Sequence, residues 1–242
     1  LFSTILEVAD RGASGGGGRD EEGYWRRSCR QLVRNFVDLL TLATGHVSVP
    51  DLYRAVVSAP TSFEQLRSEQ WKAESFCFRC LSQADKREKS PSQQSDFEMV
   101  TDYFCLEFPG LSEKTRSVIV STFTSMIDVI NRGVLRDLFC RDTSITPAAI
   151  EDGKIILVDM PVKEYGDVGV IAQVLWKTAF QRSIERRDVT KSPRPVAIIA
   201  DEAQFFVTSA DHTFQTPCRS ARVATVYISQ PPSGFEAALG AT

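Results

Sequence analysis

At 242 residues with 43% hydrophobic content, the chain can bury a sizeable core as one large domain or two small ones, which excludes an unfolded polypeptide. A net charge of −3 and a pI near 5.6 exclude a generally basic, nucleic-acid-coating protein, while a local basic surface or a channel formed on assembly stays open. The longest apolar runs are strand-sized and do not span a bilayer, and six scattered cysteines (Cys29, Cys77, Cys80, Cys105, Cys140 and Cys218) read as reduced thiols in a cytosolic setting.

The first residue is Leu1, in what reads as the middle of a helix, Phe2 to Ala9, and the chain stops just after Gly240. The expectation is a fragment, with targeting or membrane segments outside it. Residues 1–23 read as that helical piece, the run Gly15-Gly16-Gly17-Gly18 and the acidic patch Asp20-Glu21-Glu22. A phosphate cradle needs GxxxxGK[ST] at the start of a helix. That pattern occurs nowhere in the 242 residues, so the glycines predict a surface loop.

Residues 24–150 carry helical periodicity and predict an all-α subdomain. Leu32, Val33, Phe36, Leu39, Leu40 and Ala43 mark one helix face that ends near Gly45. Ser48 with Asp51 and Pro50 opens a short helix through Val57. Ser62 and Gln65 open another, carrying Leu66, Trp71, Phe76 and Leu81. The polar stretch from Lys86 to Ser95 predicts a loop, Asp96 to Phe108 a helix, and Ser112 caps a longer helix that ends at Gly133. Thr146-Pro147 begins one helical turn stopped by Gly153.

From residue 151 to 242 the pattern becomes α/β. Ile155 to Met160 reads as a buried strand closed by Pro161. Val168, Ile171, Val174, Leu175 and Phe180 give the stripe of a helix reaching about Arg187. Two further apolar runs, Val196 to Ala200 and Val223 to Ile228, are β-branched and strand-sized. The layout predicts a parallel sheet with polar residues delivered at the carboxyl ends of its strands.

Those polar residues carry the chemistry. Asp201 and Glu202 end the first of the two runs, and Ser229 and Gln230 end the second. An acid pair in this place suits phosphoryl-transfer ATPases: the first carboxylate holds Mg²⁺ through its water shell and the second orients the attacking water. Strand ends also meet solvent, which alone explains acids there. Gln230 is placed to contact a γ-phosphate and report its loss, and Arg219 to reach a nucleotide on an adjacent subunit. Arg222, in the same turn, competes for that finger role.

On these residues the chain resembles the type IV secretion coupling-protein family, the TraG/TraD-like conjugative DNA-transfer ATPases within the FtsK/HerA class. The segments that carry the resemblance are Gly153 to Pro161, Leu175-Trp176-Lys177, Arg194 to Phe206 with its Asp201-Glu202-Ala203-Gln204, and Arg219 to Arg222 with Ser229-Gln230. Gly23-Tyr24-Trp25 and Val47 to Leu52 look like the entry to that family's all-α insertion. The resemblance implies a RecA-like P-loop NTPase core with a parallel sheet and an inserted all-α subdomain. It also implies ATP and Mg²⁺, a homo-hexamer, and single-stranded DNA or a relaxase-DNA complex delivered to secretion-channel proteins. Localisation would be cytoplasmic, at the inner face of a bacterial membrane, with membrane contact only through segments outside this chain. The family's phosphate loop is absent here, so these residues alone are expected not to hydrolyse ATP appreciably. A docking or assembly module without catalysis is the alternative from another class, and a double-strand DNA pump or secretion ATPase the alternative within the motors.

Other candidates carry less. Cys77-Phe78-Arg79-Cys80 has the spacing of half a zinc site with no second half at a suitable distance. His46 and His212 are isolated loop or capping residues. Arg182, Arg186 and Arg187 with Glu185 and Asp188 read as a solvated, mixed-charge helix end, with DNA contact the minority alternative.

Overall fold

The computed structural model describes residues 19–141, 143–230 and 233–239. The chain divides into two compact units, one ending at Arg141 and the other following it, so the helical unit closes before residue 150. The Phe2–Ala9 piece and the Gly15–Gly18 run lie outside the described residues.

In the helical unit, α1 (Arg19–Thr44) already includes the acidic patch at its start. Its apolar stripe, with Leu32, Phe36 and Leu39 fully buried, packs against α2 (Val49–Val57), α5 (Phe76–Lys86), α6 (Pro91–Asp102) and α7 (Glu113–Ile130). Phe36 meets Phe104 with ring centroids 4.4 Å apart. The expected caps form: Ser48 accepts from the Asp51 amide, Ser62 from Gln65 and Ser112 from Thr115.

Three expectations are corrected in this unit. The helix foreseen after Ser62 is broken into α3 (Phe63–Arg67), α4 (Glu69–Glu74) and α5. Ser68 and Ser75 leave helical geometry, and each caps the next segment with its hydroxyl, the competing side-chain bond that serine offers a helix backbone. The loop foreseen through Ser95 ends early, because Ser90 and Gln93 form a reciprocal capping box that starts α6 at Pro91. α6 then passes through a π-helical turn, Tyr103–Glu107, just before Pro109, which lacks the amide a regular α-turn would use. Gly133 starts α8 (Gly133–Phe139) as well as following the end of α7.

In the second unit, a 3₁₀ turn (Pro147–Asp152) stops at Gly153, whose φ is 80°. The Arg194 guanidinium lies on Gly153, within 1.7 Å of where a Cβ would be, so a side chain there would displace it as well as strain the backbone. Residues 155–160 do not form the buried strand foreseen. They make no ladder, and Ile155 and Leu157 are 97% and 86% exposed. Met160 anchors the end of the segment, its carbonyl accepting from Gln173 Nε2 at 2.7 Å. A cavity of about 610 Å³ lies between residues 154–158 and the first strand of the sheet.

α9 (Val162–Glu185), kinked at Gly166, leads to β1 (Val196–Ala200). A 3₁₀ turn (Ala203–Phe205) and α10 (Ser209–Cys218) connect β1 to β2 (Val223–Tyr227), and α11 (Ser233–Leu239) follows. β1 and β2 pair in parallel, Val196 opposite Val223 and Ala200 opposite Tyr227. The chain is therefore mostly helical with a two-stranded parallel sheet among the described residues. No single described helix is long and apolar enough to cross a membrane.

Candidate functional site at the carboxyl ends of the two strands

Parallel pairing sends both strands in one direction, so Asp201-Glu202 and Ser229-Gln230 emerge at the same end of the sheet. The ladder continues past the strands. The Ile228 amide donates to Ala200 O at 2.8 Å, and the Ala203 amide donates to Ile228 O at 2.9 Å. The acid loop is thus stitched to the end of β2. Below it, Ala200, Ala203, Phe206 and Val174 form a small buried cluster, which gives the loop a packed floor.

Glu202 has a left-handed backbone, φ 51° and ψ 38°, unusual for a residue with a Cβ. Strain of this kind persists where the surroundings over-determine the backbone, and functional sites are where it gathers. Its carboxylate is held on both sides. Gln230 Nε2 donates to Oε1 at 3.2 Å, and Gln204 Nε2 donates to Oε2. Asp201 is exposed; its Oδ1 accepts from the Glu202 amide at 2.9 Å, and Oδ2 makes no bond to the protein among the described residues. The sequence brings Asp201, Glu202 and Gln230 to one place, as foreseen. Gln204 was visible in the motif without a role.

A second constellation was not foreseen. Lys177 of α9 is buried and donates to Asp211 Oδ2 and to Phe206 O, the latter at 2.6 Å. Asp211 also accepts from Gln181 Nε2 at 2.7 Å, from the Tyr227 hydroxyl at 2.6 Å and from the Thr208 amide at 2.7 Å. Burial raises the Asp211 carboxyl, but the Lys177 charge and the bonds from Lys177, Tyr227 and Thr208 outweigh it, leaving it below its ordinary value. Burial first, and then its bond to Asp211, push the Tyr227 hydroxyl far upward. The network ties α9, the acid loop, α10 and β2 together. Two signals pointed to it: Lys177 and Gln181 interrupt the apolar stripe of α9, and Thr208 with Asp211 has capping-box spacing.

Arg219 lies at the C-cap of α10, exposed, just before β2. It is therefore at the amino end of the strand whose carboxyl end bears Gln230, and β2 alone separates them by about 16 Å. Within one chain the structure does not bring Arg219 to the acids. Arg222, at φ 52°, is engaged elsewhere, its Nη1 donating to Pro193 O at 2.9 Å. Arg187 departs from the solvated helix end foreseen: its Nη2 donates to Ala221 O at 2.6 Å, and Nε and Nη1 are buried. Arg182 and Arg186 are exposed.

In the helical unit, Cys77 and Cys80 are both buried on α5. Burial pushes the Cys80 thiol up to about 11 and the Cys77 thiol well above its ordinary value, the opposite of what a metal-binding thiolate needs. No cluster of three metal-ligating side chains occurs among the described residues. His46 and His212 are exposed. Asp201 as one exposed carboxylate fits Mg²⁺, which keeps several waters and takes the rest of its shell from substrate phosphates.

No family model matches the chain, and the searches of curated proteins and of solved structures found no match either.

Proposed function

We propose that this chain carries the acid-pair half of the nucleotide site of an ATP-driven DNA-translocating motor, a hexamer with a RecA-like core that delivers single-stranded DNA or a relaxase-DNA complex to a secretion channel. The single observation that supports this reading is the bond from Gln230 to Glu202 across the carboxyl ends of two parallel strands, with Asp201 beside it. This is the crevice where open α/β sheets place their ligands. Its three side chains are those that phosphoryl transfer asks for.

In this reading Glu202 orients the attacking water and Gln230 contacts the γ-phosphate. Asp201 would hold the water shell of Mg²⁺, which when bound neutralises phosphate charge. Arg219 lies too far to serve its own chain, which agrees with a finger reaching a neighbour's nucleotide. Engaged on Pro193, Arg222 is the poorer choice for that role. The phosphate-holding loop and any membrane anchor belong to segments other than these residues, and the motor works at the inner face of a bacterial membrane.

The test is nucleotide trapping. In the complete motor, Glu202→Gln keeps magnesium-ATP binding and abolishes turnover, whereas the 242 residues alone show no appreciable turnover. Wild-type turnover in the Glu202→Gln motor would refute the assignment. A complete protein with neither ATP binding nor turnover would leave a non-catalytic docking module in its place.

A further inference from the structure

Gln204 has no part in the roles given so far, yet it is the second donor on Glu202. The two amides divide the carboxylate: Gln204 Nε2 on Oε2 and Gln230 Nε2 on Oε1. Their surroundings differ. The Gln204 Cβ and Cγ stand 3.0 and 3.1 Å from the point where Gly234 would carry a Cβ, so α11 packs closely on this side chain. Its Oε1 is buried with no hydrogen-bond partner among the described residues. Only a donor orientation of the amide toward a carboxylate is favourable, so the buried oxygen is the consequence of aiming the nitrogen at Glu202. Gln230, by contrast, is exposed. One amide is packed under α11; the other faces solvent.

We propose that Gln204 is a positioning residue that fixes the direction of the Glu202 carboxylate, and that Gln230 is a releasable latch on its other oxygen. This rests on the nucleotide-site reading above. While Gln230 donates to Glu202, one of its two N–H bonds and one acceptor site of Oε1 are engaged with each other. When Gln230 turns to a γ-phosphate, Oε1 is freed for a water molecule, and Gln204 keeps the carboxylate pointed through Oε2. Nucleotide arrival and base release are then one side-chain movement. The left-handed backbone of Glu202 belongs to the same device, because it turns the side chain back toward both amides.

The geometry is tested first in the 242-residue chain, without any catalysis. The side-chain NH₂ resonances of Gln204 and Gln230 in ¹⁵N–¹H spectra are expected to shift together on Glu202→Ala; an unmoved Gln204 pair would overturn the clamp. The role is tested in the complete motor with Gln204→Glu, which keeps length and volume but lacks the donor, beside Gln204→Ala. Both are expected to lower kcat about tenfold with KM for magnesium-ATP within about twofold, the signature of lost aim rather than lost binding. Wild-type kcat in Gln204→Glu, with an unchanged melting temperature, would overturn the positioning role while the nucleotide site stands. A wild-type motor without Glu202-dependent turnover would overturn both the latch and the reading beneath it.

Discussion

Replacing Asp211 by Ala is the sharpest perturbation of the sheet-bearing unit. The side chains of Lys177 and Asp211 are 7% and 4% exposed, so the substitution strands a buried cation and removes the acceptor for Gln181, Tyr227 and Thr208 in one step. Breaking a buried pair from one side costs about 3–5 kcal/mol, and losing the reciprocal cap adds about 0.5–1 kcal/mol. Against a total stability of roughly 5–15 kcal/mol, this removes much of the margin. With a urea slope of about 1–3 kcal/mol/M, the midpoint should fall by roughly 2 M. Trp176 is the one tryptophan after residue 141, so 5-fluorotryptophan NMR through a urea titration reads this unit separately from Trp25 and Trp71. Pairing Lys177→Met with Asp211→Leu should recover only the part of the loss that comes from the uncompensated charge, because Gln181, Tyr227 and Thr208 still lose their acceptor. A midpoint shift equivalent to less than about 1 kcal/mol in the Asp211→Ala chain would refute the premise that this pair is desolvated and coupled.

Further outcomes follow from the same geometry. Asp211 is held below its ordinary value of 3.8, so its contribution is complete above pH 3.8 and is lost as pH falls from there through the folded value. Wild-type stability should show this acid limb in pH-dependent urea melts, and Asp211→Asn should flatten it. Glu202→Gly should be more stable than Glu202→Ala by about 1 kcal/mol, because glycine adopts φ 51° without a Cβ penalty; thermal melting of the two variants checks this, and equal midpoints would remove the strain. The amides of residues 155–158 should exchange with solvent at near-unprotected rates, while the Ile228 amide, bonded to Ala200 O, exchanges slowly. In the helical unit, Phe36→Ala should cost about 3–5 kcal/mol, since its ring is fully buried against Phe104.

Much of the site was readable from residues alone because its signals are local. Val196 to Ala200 and Val223 to Tyr227 are β-branched runs of strand length, and each ends in the polar residues that now meet. Ile155 to Met160 has the same composition and reads the same way, yet it forms no strand here. A strand exists only through a partner's hydrogen bonds, and nothing within a six-residue run says whether that partner is present. Its exposed Ile155 and Leu157 are what an apolar strand looks like without its ladder. Ser68 and Ser75 misled in the opposite direction: the apolar periodicity of the region ran through both, and the caps that break it are local bonds of a kind that periodicity does not register. Lys177 stood at a helical spacing from Gln181 within an apolar stripe. Only the fold reveals that Asp211, 34 residues on, arrives opposite it.

The acid loop must satisfy two demands that pull apart. To aim Glu202 between two amides it adopts a backbone that an L-residue avoids, at a cost of about 1–2 kcal/mol. To keep that conformation it needs restraints on both sides of the strained residue. Upstream, β1 is fixed by its register with β2, and the Ile228 amide closes onto Ala200. Downstream, Ala203 bonds Ile228 from the other direction, Phe206 is buried, and its carbonyl is held by Lys177. Lys177 in turn is positioned by Asp211, which also gathers the Tyr227 hydroxyl from β2. The buried pair therefore lies on the load path of the candidate site without touching its chemistry. A variant that keeps Glu202 but loosens Lys177 should let residue 202 relax toward an ordinary backbone, turning the carboxylate away from Gln204 and Gln230. In Lys177→Met the Gln204 NH₂ resonances should then move toward those of Glu202→Ala, and resonances unchanged from wild type would show that the loop holds its strain without the pair.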